Sequence, residues 1–78
     1  MRLRLFASAR EAAGVAEAEI EGKDVDQVLR AAVGRLGPAL AEVLAVSRVW
    51  VNGAPAGPST PLDDGDEVAV LPPVSGGA

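Results

Sequence analysis

At 78 residues, 49% of them hydrophobic, with a net charge of −4, the chain makes one small domain that buries roughly 60–65% of its unfolded surface and has little stability to spare. Only Phe6 and Trp50 are aromatic, and seven Lys and Arg are scattered among eleven acids, which argues against a base-stacking or phosphate-binding surface. Cysteine and histidine are absent, so disulfides, thiolate chemistry, cysteine- or histidine-ligated metals and the usual general base near neutral pH are excluded.

The opening "RLRLF" alternates Arg2 and Arg4 with Leu3, Leu5 and Phe6, the period-two pattern of a strand with one buried face. "ASAREAAG" is alanine-rich, offers Ser8 as an N-cap and stops at Gly14, which predicts one or two helical turns closed by a glycine. "VAEAEIE" alternates again, with Glu17, Glu19 and Glu21 on one side and Ala16, Ala18 and Ile20 on the other, and predicts a second strand at a sheet edge. "DVDQVLRAAVGRLG" sets Val25, Val28, Leu29, Ala32, Val33 and Leu36 at helical spacing. Asp24 with Gln27 forms a capping-box pattern, and Gly37-Pro38 ends the helix. "PALAEVL" predicts a short helix starting on Pro38.

"SRVWVNG" is a strand ending in an Asn-Gly turn. "APAGPSTP" is too broken for a long strand, and "DDGDE" is an acidic turn into a last strand, Glu67 to Leu71. Pro72 and Pro73 lack N–H groups and mark where the fold ends. Residues 1–71 are therefore expected to form an α+β domain, a β-grasp or ubiquitin-like roll with a mixed sheet of about four to five strands on one main helix. The rival is a ferredoxin-like sandwich. Residues 72–78 are expected to form a flexible tail ending Gly-Gly-Ala.

Most candidate sites have a plain structural reading. Asp63, Asp64, Asp66 and Glu67 lack the spacing of a calcium loop and read as a solvated turn. Glu17, Glu19 and Glu21 read as a charged edge that blocks aggregation more readily than as a docking strip. Trp50, between Val49 and Val51, serves equally well as a contact anchor or as sheet packing. Asn52 and Gly53 read as a turn and nothing more. No apolar run approaches the roughly 18–20 residues of a membrane span, and "MRLRLFASAR" has no unbroken apolar core for a signal peptide. A cytoplasmic location is expected.

The tail "LPPVSGGA" has the composition of a segment made to be threaded. Six extended residues from Pro72 to Gly77 reach roughly 20 Å. The glycines have no Cβ to obstruct a narrow channel, Val74 suits an apolar pocket, and the prolines lower the ordering cost of docking.

"LRLFASAREAAG" at Leu3 to Gly14, the helix from Asp24, "VNG" at Val51 to Gly53 and "LDDGDEVAVLPPVSGG" at Leu62 to Gly77 together resemble the MoaD/ThiS family of ubiquitin-like sulfur carriers. "GDEVAVLPPVSGG" is closest to its branch of molybdopterin synthase small subunits. The resemblance implies a carrier for molybdenum cofactor biosynthesis that is not an enzyme on its own and binds no cofactor or metal. A ubiquitin-activating-type adenylyltransferase uses ATP to adenylate the glycine carboxylate, and sulfur displaces AMP to give a thiocarboxylate. The large subunit of molybdopterin synthase then accepts the tail and moves sulfur to a cyclic pterin phosphate, building the dithiolene. Carried over, Gly77 is the thiocarboxylate position and Gly76 its channel-fitting neighbour. Leu71, Pro72, Pro73, Val74 and Ser75 line the insertion, and Phe6 and Trp50 mark the docking surface. Ala78 departs from the family pattern, since it locks Gly77 in a peptide bond, and its removal is expected before the carrier works. Sulfur donation to thiamin or cysteine synthesis, attachment to proteins as a modifier, and a β-grasp binding module without carrier activity are the alternatives.

Overall fold

The computed structural model describes residues 1–73. In chain order they form β1 (Arg2–Leu5), α1 (Ala7–Ala13), β2 (Glu17–Glu19), α2 (Val25–Leu36), α3 (Pro38–Leu44), β3 (Arg48–Val51), β4 (Ala54–Pro55) and β5 (Glu67–Leu71). The five strands make one mixed sheet in the order β2-β1-β5-β3-β4. β1 and β5 lie parallel at its centre, and the other neighbours are antiparallel. This is the β-grasp arrangement, and the ferredoxin-like alternative is set aside.

The period-two pattern of β1 puts Leu3 and Leu5 beneath the sheet, where the parallel register sets them beside Val68 and Val70 of β5. All four are essentially inaccessible to water, as are Ile20, Val28, Ala32 and Leu40. Each large aliphatic side chain buried this way is worth about 1.5–3 kcal/mol, so a core without a single aromatic still holds the sheet on α2 and α3. Phe6 breaks the expected pattern. It belongs with Arg2 and Arg4 by parity, the strand stops before it, and it stands 38% exposed on the outer face. Of the expected buried stripe on α2, Val25, Val28 and Ala32 are buried, whereas Leu29, Val33 and Leu36 are only half-buried.

The helix ends also differ in detail from expectation. α1 is entered through Phe6, with no side-chain cap, so Ser8 does not cap it. Ala7, the first residue of α1, turns the chain through φ 49, a left-handed conformation costing about 1–2 kcal/mol for a residue with a Cβ. Gly14 closes the helix at φ 80, its N–H donating to the Arg10 carbonyl. At α2, Asp24 Oδ1 accepts from Gln27 N at 2.8 Å, while Gln27 Oε1 accepts from Lys23 N at 2.9 Å. The return bond thus lands one residue before the cap.

The Pro-rich connection from β4 to β5 completes this helix start. The N–H of Val25 donates to Thr60 O at 3.1 Å and that of Asp26 to Pro58 O at 2.9 Å. Two N–H groups that no helix can satisfy internally are therefore met by a segment more than thirty residues downstream. The segment leading into α2 passes close to the helix at Gly22, where a Cβ would sit 2.9 Å from both Val28 N and Val28 Cγ2. Gly34, inside α2, has open space around it. Gly22→Ala is expected to cost about 1–3 kcal/mol and Gly34→Ala to stabilise by about 0.5–1 kcal/mol, as read from urea unfolding followed by circular dichroism.

Candidate functional site

The outer face of the sheet divides into a charged half and an apolar half. Over β2 and β1, Arg2 Nε lies 3.4 Å from Glu17 Oε1. Arg4 reaches across to β5, with Nη1 3.8 Å from Glu67 Oε2. These pairs are exposed and contribute at most about 1 kcal/mol each, so their effect is to fix side-chain positions. The Arg4 guanidinium carbon also lies 5.4 Å from the centroid of the Phe6 ring, within cation–π range. Arg4 therefore forms the border between the two halves.

The apolar half is a hollow of about 250 Å³ lined by Phe6, Trp50, Gly53, Glu67, Ala69 and Leu71. Its floor is Ala69, which the register sets between Arg4 on β1 and Trp50 on β3. A larger side chain at 69 would fill the depression. Leu71 is 37% exposed and pairs with Arg48, and the chain leaves the sheet directly after it through half-buried Pro72 and exposed Pro73. Three side chains singled out from the sequence, Phe6, Trp50 and Leu71, thus meet around one depression at the end of β5. Val74, Ser75, Gly76, Gly77 and Ala78 lie outside the described residues. A larger hollow of about 380 Å³ sits on the helix side of β3, between Val25, Leu29, Leu44 and Pro58. It has no acid in its walls, and its Ser47 hydroxyl already donates to the Val43 carbonyl at 2.7 Å.

Asn52 does more than turn the chain. In the left-handed region at φ 50, which asparagine tolerates better than most residues, it donates from Nδ2 to Asp66 Oδ1 at 2.9 Å and accepts at Oδ1 from Glu67 N at 3.0 Å. Its own N–H donates to Glu67 O at 2.9 Å. Asp66 Oδ2 accepts in turn from Asp63 N at 2.8 Å. The acidic turn is thereby organised as a hydrogen-bonded clasp that holds the start of β5. Among the described residues no cluster of acids is arranged to hold a metal ion, and no helix is long and apolar enough to cross a membrane.

The bonds from Asp63 N and then Asn52 hold the Asp66 carboxyl below its ordinary value of 3.8. A carboxyl depressed on folding contributes stability above its unfolded pKa and loses it as the pH falls through the folded value.

A family model described as the ThiS family matches residues 3–77. The chain is 35% identical to SAMP1 from Haloferax volcanii in a crystal structure, with TM-score 0.83 over 99% of this chain and 98% of that one. It is 34% identical to the small archaeal modifier protein 1 from Methanosarcina acetivorans in a solution structure, with TM-score 0.87 over 97% and 94%. A chain of the complex of subunits 1 and 2 of the molybdopterin-converting factor from Helicobacter pylori matches at 32% identity and TM-score 0.71, over 97% and 96%. No curated protein matches in a sequence search.

Below about pH 4 the protein is expected to lose stability faster than an Asp66→Asn variant, whose neutral amide can still accept at this position. Urea midpoints measured at successive pH values check this, and parallel curves would remove Asp66 from the account. Asn52→Ala, which loses the clasp and strains the turn, should cost about 1–2 kcal/mol at neutral pH.

Proposed function

The chain belongs to the ThiS family, and on that premise we propose that it is the sulfur-carrying small subunit of a molybdopterin synthase. It is a carrier of the ThiS/MoaD type, and the proposal concerns its pathway and chemistry. The observation that supports a docking role is the hollow of Phe6, Trp50, Ala69 and Leu71 at the end of β5. A partner that seats an apolar side chain there is correctly placed to receive the tail.

In this reading the body supplies recognition and the tail supplies the reacting atom. A ubiquitin-activating-type adenylyltransferase binds ATP. The Gly77 carboxylate, freed by loss of Ala78, attacks the α-phosphorus and pyrophosphate leaves. An ordinary carboxylate is a poor acyl donor, and the acyl-adenylate cures this because AMP is a good leaving group. A sulfur nucleophile then takes the carbonyl, and AMP departs to leave a thiocarboxylate. The large subunit of the synthase provides the catalytic residues that pass this sulfur to a cyclic pterin phosphate. The chain itself needs neither cysteine nor histidine for these steps, and it has none. It binds no cofactor, and ATP is used by its partner. The cytoplasm, where ATP is available, is the proposed compartment.

Similarity to two modifier proteins at 35% and 34% identity supports a second reading, in which the activated Gly77 carbonyl is passed to a lysine amine on another protein. Lys23 is the only lysine of this chain, which makes self-conjugation a poor outcome. The two readings share activation and differ in the acceptor.

A chain ending at Gly77, incubated with the cognate activating enzyme, ATP and a sulfur source, should gain the mass difference of one oxygen replaced by sulfur. It should lose that gain again when the large subunit and the cyclic pterin are added. No mass gain would reduce the protein to a binding module, and a stable link to a protein lysine would favour the modifier reading. Intact mass from the native host tests the trimming of Ala78, which fails if only the full-length chain is found. Leu71→Glu and Phe6→Ala should each weaken binding to the large subunit by about 10- to 100-fold. Arg48→Glu should weaken both complexes if one surface serves both partners.

A further inference from the structure

The Asn52-Gly53 pair is chemically vulnerable as well as conformationally useful. An asparagine side chain cyclises when the next backbone nitrogen attacks its carboxamide carbon, and glycine offers that nitrogen without a side chain to shield it. Both residues are exposed, so solvent reaches the site. The fold, however, engages both ends of the carboxamide. Nδ2 is held by the Asp66 carboxylate at 2.9 Å, and Oδ1 is held by the N–H of Glu67 at 3.0 Å. These partners lie fourteen and fifteen residues away along the chain, and the carboxamide must let go of them before it can turn back onto Gly53.

We propose that Asn52 is a site of non-enzymatic deamidation, held shut by its bonds to Asp66 and Glu67, and that the product opens this clasp permanently. The Gly53 nitrogen, giving up its proton to water, forms a bond to Asn52 Cγ. The Cγ–Nδ2 bond breaks, and the departing nitrogen takes up a proton and leaves as ammonia, giving a five-membered cyclic imide. Water then adds to either imide carbonyl and opens the ring to aspartate or isoaspartate. No electrons are exchanged with an outside partner. The product carries a carboxylate where Nδ2 had donated, so two anions face each other across a distance that had held a charge-assisted hydrogen bond. The isoaspartate form also adds a methylene to the main chain within a turn that leaves β3 and β4 only two paired positions.

The consequence falls on β5, because Glu67 is its first residue and its N–H loses the Asn52 acceptor. Ageing of one side chain would therefore loosen the strand that leads into the tail.

The test is to incubate the purified full-length protein and its Asp66→Ala variant at neutral pH, both shown folded by circular dichroism, and to locate amide-to-acid conversion by peptide mass analysis. Loss of one charge-assisted bond should speed conversion at Asn52 by about tenfold. Equal rates in the two folded proteins would overturn the gating. If Asp66→Ala does not fold, the native protein is compared with itself in urea. Conversion at Asn52 at least about tenfold slower in the folded state is then expected, and equal rates overturn the proposal. Asn52→Asp, which carries the product carboxylate, should show a lower urea midpoint than the parent, and an unchanged midpoint would overturn the claim that the product opens the clasp.

Discussion

Everything in this fold depends on the parallel pairing of β1 with β5. Parallel neighbours cannot be joined by a tight turn, and here nearly the whole chain lies between them. Once Arg2 to Leu5 lie beside Glu67 to Val70, the inward row of Leu3, Val68, Leu5 and Val70 is complete, and the helices have a surface to cover. The same register carries the outward row. Arg4, Ala69 and Trp50 become neighbours across three strands, so the pairing that builds the core also builds the hollow on its reverse side. β5 then ends at Leu71, which lines that hollow together with Phe6 and Trp50.

The remaining stability comes from satisfying backbone groups with distant partners. A domain this small cannot afford buried polar groups without partners, and among the described residues no buried side-chain polar atom lacks one. The Pro58 and Thr60 carbonyls finish the start of α2, Leu62 N donates to Lys23 O at 2.9 Å, and Asn52 with Asp66 fastens the start of β5. A connection with little regular structure thus holds the helix to the sheet, and its prolines stiffen it without costing N–H groups that the fold needs.

The elements themselves are legible in the residues, because β1 and β5 each carry a periodicity that matches one buried face and α2 carries one that matches it in part, whereas β2 is only three residues long, with Ala16 exposed before it. Gly14 and Pro38 announced a helix end and a helix start through backbone preferences that act locally. What sequence reading missed was non-local. The pattern of the opening strand groups Phe6 with the buried leucines, although its parity with Arg4 places it outside, on the face that the family resemblance implies, and the Arg4 contact shows what lies against it there. Asn52 read as a turn because its partners, Asp66 and Glu67, lie across the sheet. Ala69 carries no signal in the sequence, since a small residue between two valines becomes informative only when its neighbours on both sides are known. The sequence pattern marks Gln27 as part of a cap, but its bond goes to Lys23 N, one residue before the cap.

Trp50 is the only tryptophan, and the chain has no tyrosine. Because Trp50 lines the hollow at the end of β5 and also the larger hollow against the helices, and is not part of the aliphatic core, the protein carries a built-in optical probe at its surface. Anything that covers either hollow takes water away from the indole and shifts its emission, and no tyrosine of this chain competes. Covering of this surface can thus be followed by ultraviolet fluorescence of the unlabelled chain.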